Sequence, residues 1–152
     1  EKPEVTAQKI RPCPELAHLI GDEPVVWSGD LVRVDADGDL WFVSRMDEMI
    51  KTLGFRLSPT EVEDAIAQSG MVADVVAYGV DDADLGQAVH VVVTYLPHGT
   101  ESALHAHCGR AMPHYMRPQC YHSWQGNMPR TASGKLDRPA IIAAAKAGDL
   151  QN

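Results

Sequence analysis

Apolar and polar residues in the first half of this chain alternate in short runs, separated by residues that favour tight turns. The pattern predicts two β-hairpins, the first turning at Asp37-Gly38 and the second at Leu53-Gly54. An isolated two-stranded hairpin is at best marginally stable in water, so we expect the first one to pack against another part of the protein. The predicted strands are 31–34, 40–43, 49–52 and 55–57.

The residue pattern in the second half of the chain predicts helices and longer strands. Ser58-Pro59-Thr60-Glu61 supplies an N-cap serine, a proline at the first helical position and an acid in the first turn, so a helix begins there and ends by Gly70. Residues 1–26 are interrupted by prolines and are predicted to be a connector. The order of elements predicts an α+β fold, with a small antiparallel sheet flanked by helices and preceded by the first hairpin. The remaining predicted elements are strands 72–80, 88–96 and 119–124 and helices 101–111 and 138–147.

Length and charge limit the function classes. A chain of 152 residues can hold one domain with a real core, or a smaller domain with an attached piece of another. It has no apolar run long enough to be a transmembrane segment. The net charge of -8 argues against nucleic acid and anionic membranes as partners, so an anionic ligand has to be met by local cations. The candidate cations are Arg45, Lys51, Arg56, Lys135 and Arg138.

The cysteines indicate a reducing compartment, and we expect the protein to be cytoplasmic. Cys13, Cys108 and Cys120 show neither a disulfide-framework spacing nor a CxxC pair. A zinc site is the alternative use for such residues, because histidine and cysteine are the usual zinc ligands. The spacing matches no standard zinc pattern, so no metal site is predicted. The group considered was His105, His107, Cys108, Cys120 and His122.

Residues 129–138 form a loop of small residues that presents Lys135 just before a helix. The loop is not a Walker phosphate-binding loop, because Gly126 is too far from Gly134 and Leu136 replaces the required serine or threonine. It does offer a compact ammonium on a flexible stem, which suits contact with a carboxylate or phosphate oxygen. Taken alone, Ser133-Gly134-Lys135 is more typical of a solvated surface turn.

Three motifs, taken in order, closely resemble the last three signature motifs of the adenylate-forming superfamily, which includes acyl-CoA synthetases, peptide-synthetase adenylation domains and luciferases. They are 27–31 (WSGDL), 44–57 (SRMDEMIKTLGFRL) and 129–138 (PRTASGKLDR). The resemblance implies a large N-terminal domain that carries the acyl pocket and most of the nucleotide site. On this basis residues 1–46, including the first hairpin, are the tail of that domain. Residues 47–152 are its small mobile partner, and the chain alone is expected to be inactive.

The resemblance also implies roles for individual residues. Lys135 matches the adenylation lysine that bridges the substrate carboxylate and the ATP α-phosphate. Asp30 resembles the carboxylate that accepts hydrogen bonds from the ribose hydroxyls, and Arg45 a cationic partner of the nucleotide. Asp47 falls where the small domain pivots. Gly54 resembles the glycine that lines the pantetheine passage.

Two further cations near that passage, Lys51 and Arg56, could meet the anionic part of coenzyme A. Solvated strand charges explain them equally well at this stage.

The function implied is that of an AMP-forming acyl-CoA synthetase. It activates a carboxylic acid, expected to be a fatty acid, with ATP to acyl-AMP and transfers the acyl group to coenzyme A. ATP, Mg2+ held mainly by the large domain, and coenzyme A are the implied cofactors and co-substrate. Two alternatives stay open: an enzyme that loads a carrier protein instead, and a noncatalytic binding module that retains the fold.

Overall fold

Residues 3–46 form two small antiparallel sheets and two short helices in the computed structural model, which describes residues 3–46, 48–148 and 150. The described part of the predicted connector contains short elements, of which α1 is the longest with seven residues, because its prolines interrupt every longer run. The hairpin prediction is confirmed and extends to Asp30 and Arg45. The elements are α1 (Pro3–Lys9), β1 (Ile10–Pro12), α2 (Ala17–Ile20), β2 (Pro24–Val26), β3 (Asp30–Val34) and β4 (Leu40–Arg45).

A five-stranded sheet, flanked by three helices, organises the rest of the described chain. Its order is β6-β5-β8-β7, and β9 also pairs with β8. The α+β prediction is confirmed. The strands are β5 (Ile50–Thr52), β6 (Phe55–Leu57), β7 (Val72–Asp82), β8 (Gly86–Tyr95) and β9 (Cys120–Ser123), and the helices are α3 (Pro59–Ala67), α4 (Glu101–Ala111) and α5 (Arg138–Ala147).

The central pair, β7 and β8, is longer than its sequence pattern predicts. Valine-rich strands favour a sheet with both faces covered, and the antiparallel ladder runs from Val72↔Tyr95 to Asp82↔Gly86. The connection between the two strands is therefore only three residues long, 83–85, where the predicted strands 72–80 and 88–96 leave 81–87. Asp82 stabilises it, because its Oδ1 accepts the backbone N–H groups of Asp84 and Leu85 at 3.0 and 2.9 Å.

Strand β9 is parallel to β8, whereas every other pairing in this sheet among the described residues is antiparallel. A parallel neighbour needs a long crossover, and α4 supplies it between the two strands. The register places His90 beside Cys120 and Val92 beside His122.

The two faces of the sheet bury two separate cores because successive strand residues point to opposite sides. One core joins odd-numbered residues of β7 and β8, such as Ala77 and Val91, to α3 and α4. The other joins even-numbered residues, such as Val76 and Val92, to Ile141 and Ala145 of α5. The helices therefore lie on both faces of the sheet.

Arg138, the first residue of α5, joins three elements. Its Nη1 forms an ion pair with Glu63 Oε1 of α3, and its Nη2 donates to the carbonyl of Ala77 on β7 at 2.9 Å. The same Glu63 oxygen accepts the Ala77 backbone N–H at 2.8 Å. A third contact places Nε 3.5 Å from Glu48 Oε2. Arg138, a candidate anion-binding cation from the sequence, is therefore part of the scaffold.

Burial raises the pKa of Glu63, and the neighbouring Arg138 guanidinium opposes that rise. Removing the guanidinium leaves a half-buried carboxylate without its cation. We expect Arg138→Met to lower the free energy of unfolding at neutral pH by about 2 kcal/mol, between the values for exposed and fully buried pairs. Urea unfolding measures the change, with Arg110→Met on exposed α4 surface as the control. A loss no larger than that of the control would contradict the anchoring role.

The Arg138–Glu63 ion pair also predicts how the free energy of unfolding depends on pH. A carboxylate whose folded pKa is raised contributes stability that is present below its unfolded pKa, 4.5, and is lost as the pH rises through the folded pKa. Arg138→Met raises the folded pKa of Glu63 further. The stability difference between wild type and variant should therefore be small near pH 4.5 and grow toward neutral pH. An unchanged difference across this range would contradict the coupling.

Candidate functional site

The lysine loop, residues 130–137, is closed by a short antiparallel bridge between Arg130 and Leu136. Inside the bridge the Thr131 N–H donates to the carbonyl of Lys135 at 2.7 Å, and the Gly134 N–H donates to the carbonyl of Thr131 at 2.9 Å. Gly134 has a φ of +82°, which is why a glycine precedes the lysine. The backbone of the loop is thus fixed by its own hydrogen bonds.

Arginines anchor both ends of this loop. At its start, Arg130 Nη2 lies 2.8 Å from Asp74 Oδ1 at the beginning of β7, and Nη1 donates to the carbonyl of Gly134 at 3.1 Å. At its end, Arg138 contacts α3 and β7 as described above. Between them, Leu136 packs against the core under α5.

The ammonium of Lys135 projects from this anchored loop into solvent. Lys135 is exposed, and in the described part of the chain its ammonium takes part in no hydrogen bond or ion pair. Arg130 and Arg138 both neutralise carboxylates, whereas Lys135 has its full charge available for a ligand. The loop can therefore present one positive charge to an anion from outside the described residues.

Asp30 and Arg45, the two residues predicted to contact nucleotide, lie opposite each other in the β3–β4 ladder. Arg45 Nη1 is 3.1 Å from Asp30 Oδ1, and the side chains are 30% and 34% exposed. Gly29, directly before Asp30, has a φ of +80°, a backbone conformation that glycine adopts readily. The structure thus brings the two predicted nucleotide contacts together as one partly exposed polar pair.

The second hairpin carries the residues predicted to line a coenzyme A passage. Leu53 and Gly54 both have positive φ, 50° and 81°, as a type I′ turn requires. Lys51 and Arg56 face each other across β5 and β6 as an exposed pair of like charges. Such a pair weakens a hairpin unless an anion lies between the charges.

A cleft separates this charged pair from the first hairpin. It is lined by Leu31, Met46, Met49, Lys51 and Arg56. The cleft therefore offers apolar contacts and two cations to the same ligand.

Some predicted residues are not brought together. Lys135 forms no hydrogen bond or ion pair with the Asp30–Arg45 pair or with Lys51 and Arg56 in the described part of the chain. The predicted pivot, Asp47, lies outside the described residues.

One group of side chains was not predicted from the sequence. Cys120 and His122 on β9 lie beside His90 on β8, whereas the other members of the considered zinc group, His105, His107 and Cys108, lie on α4. The sequence shows Cys120 and His122 close together, but it does not show His90 beside them. His90 joins the group only through the parallel pairing of β8 with β9.

The family model of the AMP-binding enzyme C-terminal domain matches residues 61–135, a stretch that ends on Lys135. The predicted resemblance is confirmed, and the chain belongs to the adenylate-forming enzymes, of which it carries the C-terminal domain.

Similar proteins include ligases with different acyl acceptors. The chain is 36% identical over 124 residues to an L-allo-isoleucine:holo-[CmaA peptidyl-carrier protein] ligase of Pseudomonas savastanoi pv. glycinea, covering 79% of this chain and 20% of that protein. It is 34% identical over 133 residues to 3-hydroxypropionyl-coenzyme A synthetase of Metallosphaera sedula, covering 82% of this chain and 20% of that protein.

A solved structure shares the fold. The o-succinylbenzoate CoA synthetase of Bacillus subtilis, in complex with the acyl-adenylate intermediate OSB-AMP, superposes with a TM-score of 0.67 at 26% identity. The alignment covers 76% of this chain and 24% of that one. The chain thus spans about a fifth to a quarter of the length of these relatives. Within its described residues, we find no helix with the length and apolar character needed to cross a membrane.

The hairpin turn gives a test of backbone conformation that does not depend on any ligand. A Cβ at Gly54 would meet nothing within 4 Å, so Gly54→Ala should cost only the strain of a positive φ, about 1 kcal/mol of unfolding free energy. The matched control is Gly109→Ala within α4, which also meets nothing within 4 Å and should stabilise by about 0.5–1 kcal/mol. Thermal unfolding of both variants measures the contrast, and equal effects would contradict it.

Proposed function

We propose that this chain is the mobile C-terminal domain of an AMP-forming acyl-CoA synthetase. In this proposal residues 1–46 are the tail of a large N-terminal domain, and residues 47–152 rotate about a pivot near Asp47. The domain would serve two half-reactions in turn, the formation of acyl-AMP and pyrophosphate and then the transfer of the acyl group to coenzyme A. The exposed ammonium of Lys135 on its doubly anchored loop is the main support for the proposal.

The lysine loop has the physical properties that the first half-reaction requires. A carboxylate and the α-phosphate of ATP repel each other as they approach, and a cation placed between them offsets the repulsion and stabilises charge in the transition state. Such a cation works best when its position is fixed beforehand. The contacts of Arg130 and Arg138 fix the backbone on either side of Lys135, so only the lysine side chain has to be ordered when the substrates bind.

The Asp30–Arg45 pair fits a nucleotide contact. One carboxylate oxygen of Asp30, Oδ1, faces Arg45, so Oδ2 is the oxygen assigned to the ribose hydroxyls. The guanidinium holds the carboxylate in place and adds a positive charge close to the phosphates. Both side chains are partly exposed and thus accessible from outside the hairpin.

Lys51, Gly54 and Arg56 would belong to the second half-reaction. The like-charged pair faces the cleft beside β3, where the phosphates of coenzyme A would relieve its repulsion. Gly54 keeps the tip of the hairpin free of a side chain, so a pantetheine arm could pass along it.

The first hairpin supports the presence of a large partner domain. Leu40, Trp41 and Phe42 of β4 are 69%, 54% and 61% exposed, and a single strand rarely leaves three consecutive large apolar residues in water. A surface of the N-terminal domain would cover them. This proposal assigns cytoplasmic location and fatty-acid substrates to the whole enzyme.

Mg2+ would accompany ATP. The side chains of the lysine loop are unsuitable as ligands for this metal. The polar side chains of the loop are hydroxyls and cations apart from Asp137, which caps α5 by accepting the Ala140 N–H at 3.2 Å. We therefore assign the metal to the N-terminal domain.

A carrier-protein ligase is the second candidate, favoured by the similarity to the peptidyl-carrier protein ligase of Pseudomonas savastanoi. The whole enzyme, assayed with free coenzyme A and with a phosphopantetheinyl carrier protein, should prefer free coenzyme A if the main proposal holds. Preference for the carrier protein would support the second candidate. Failure of the whole enzyme to exchange pyrophosphate into ATP would instead indicate a noncatalytic module.

Lys135→Ala in the whole enzyme should slow pyrophosphate exchange by a factor of about 10²–10³, because it removes a preorganised charge from the transition state. Thioester formation from supplied acyl-AMP should change little. Lys9→Ala on α1 is the matched control. An unchanged exchange rate in Lys135→Ala would contradict the assignment, and exchange activity in the isolated chain would contradict the need for a second domain.

The double variant Lys51→Ala/Arg56→Ala should raise the KM for coenzyme A about tenfold and leave the KM for ATP unchanged, because two charge-assisted contacts are lost. Steady-state kinetics of the whole enzyme measure both constants. Arg33→Ala, another exposed arginine on a hairpin strand, serves as the control. Equal changes in both constants, or none, would show that these residues are merely solvated.

A further inference from the structure

Three metal-ligating side chains meet on the face of the sheet that α5 covers. His90 extends from β8, and Cys120 and His122 extend from the neighbouring strand β9. Their ligand atoms all lie within 4.8 Å of one another. His90 and Cys120 are half-buried, and His122 is 8% exposed. None of them belongs to the three groups assigned above to nucleotide, carboxylate or coenzyme A.

Two of the distances between these ligand atoms match the edges of a tetrahedral metal site. His90 Nδ1 lies 3.3 Å from His122 Nε2, and Cys120 Sγ lies 3.5 Å from the same nitrogen. Zinc bonds of about 2.05 Å to nitrogen and about 2.3 Å to sulfur, at the tetrahedral angle, give edges of about 3.3 Å between nitrogens and about 3.6 Å between nitrogen and sulfur. These two distances are those expected between zinc ligands, and the third pair of ligand atoms lies within 4.8 Å.

Hydrogen bonding accounts for this geometry less well than a metal does. His122 Nε2 carries either one hydrogen or one lone pair, so it can make one good hydrogen bond in either tautomer. Two groups nevertheless approach it within 3.5 Å. A cation is satisfied by several lone pairs at once, since each ligand donates one.

The surroundings limit the exposure of the site to solvent. The ring of Tyr78 lies against both histidines, with centroids 5.7 Å from His90 and 6.4 Å from His122. Val92, the next residue on the same face of β8, is fully buried in the core under α5. A largely apolar shell limits water access and strengthens the binding of a charged metal by its ligands.

We propose that His90 Nδ1, Cys120 Sγ and His122 Nε2 bind one zinc ion, with a water molecule in the fourth position. On binding, the thiol S–H bond breaks, its proton passes to the buffer, and the sulfur electron pair forms the bond to zinc. Two imidazoles and a thiolate form a borderline-soft donor set that suits zinc and disfavours magnesium or calcium.

The role of this metal is to fasten β9 to β8. Strand β9 has four residues and pairs with β8 alone in the described sheet, so its ladder is short. A metal bridge between the two strands adds a link that the ladder lacks. The chain then continues from β9 to the lysine loop, so the same link steadies the segment that leads to Lys135.

Cobalt is the spectroscopic probe for this site. The reduced chain, purified without a polyhistidine tag, is titrated with Co2+ and then with Zn2+. We expect one equivalent of Co2+ to produce a thiolate-to-cobalt charge-transfer band together with the intense visible bands of tetrahedral cobalt, and Zn2+ to displace it. At a free Zn2+ concentration roughly 100 times Kd, the melting temperature should rise by about 5–10 °C.

Variants identify the ligands. Cys120→Ser should abolish the charge-transfer band, and His90→Gln and His122→Gln should each weaken Co2+ binding by at least about tenfold. Cys13→Ser and His105→Gln are the matched controls and should bind as wild type does. Circular dichroism in chelator shows whether each variant still folds, so that a loss of binding is not confused with unfolding.

The wild-type titration decides the proposal even where a variant fails to fold. Saturable binding at one equivalent with the charge-transfer band, lost in the ligand variants and kept in the controls, supports it. The proposal would be overturned by an absence of saturable binding or by binding without the charge-transfer band. It would also be overturned if the control variants lost binding as much as the ligand variants do. The assay needs neither ATP nor an acyl substrate, so its outcome is independent of the proposed synthetase function.

Discussion

The ion pair between Arg138 and Glu63 is the constraint on which the other contacts of this domain depend. A carboxylate on α3 is buried between the helix and β7, where burial disfavours its charge, and the first residue of α5 supplies the compensating guanidinium. This contact fixes where α5 begins and therefore where the lysine loop ends. Arg130 repeats the arrangement at Asp74, and Asp74 and Ala77 are three residues apart on β7. The points on β7 that the two arginines contact thus lie about 10 Å apart along one strand.

Local rules explain why much of the fold could be predicted from the sequence. The Asp37-Gly38 turn and the Ser58 to Glu61 helix start depend on neighbouring residues, and the structure has both elements where these signals place them. The Ser58 N–H donates to Glu61 Oε2 at 3.1 Å, as that helix start requires. The parallel pairing of β9 could not be read in this way, because it depends on how α4 crosses the sheet. Leu53 was also unexpected as a residue of positive φ, since side chains rarely adopt that conformation.

In the candidate site, too, some features follow from neighbouring residues and others only from contacts between distant parts of the chain. The sequence identifies Lys135, Arg130 and Arg138 as cations around one loop, but it does not tell which of them are neutralised by carboxylates distant in the chain. Asp74 and Glu63 decide that, and they leave Lys135 as the exposed charge. The His90, Cys120 and His122 group follows the same logic, because His90 is thirty or more positions from Cys120 and His122 and meets them only through strand register. Signals carried by spacing are visible in a sequence, whereas signals carried by register appear only in the fold.

Different residues hold the lysine loop in place and carry its exposed charge, and this separation has an evolutionary consequence. The arginines and Leu136 hold the loop, and the ammonium of Lys135 contributes nothing to that hold. Whatever chemistry the ammonium performs can therefore be lost by a single substitution while the domain still folds. A duplicated copy of such a gene could lose the lysine and still encode a folded but inactive domain. Among descendants of this domain, an intact fold is thus a poor guide to retained activity.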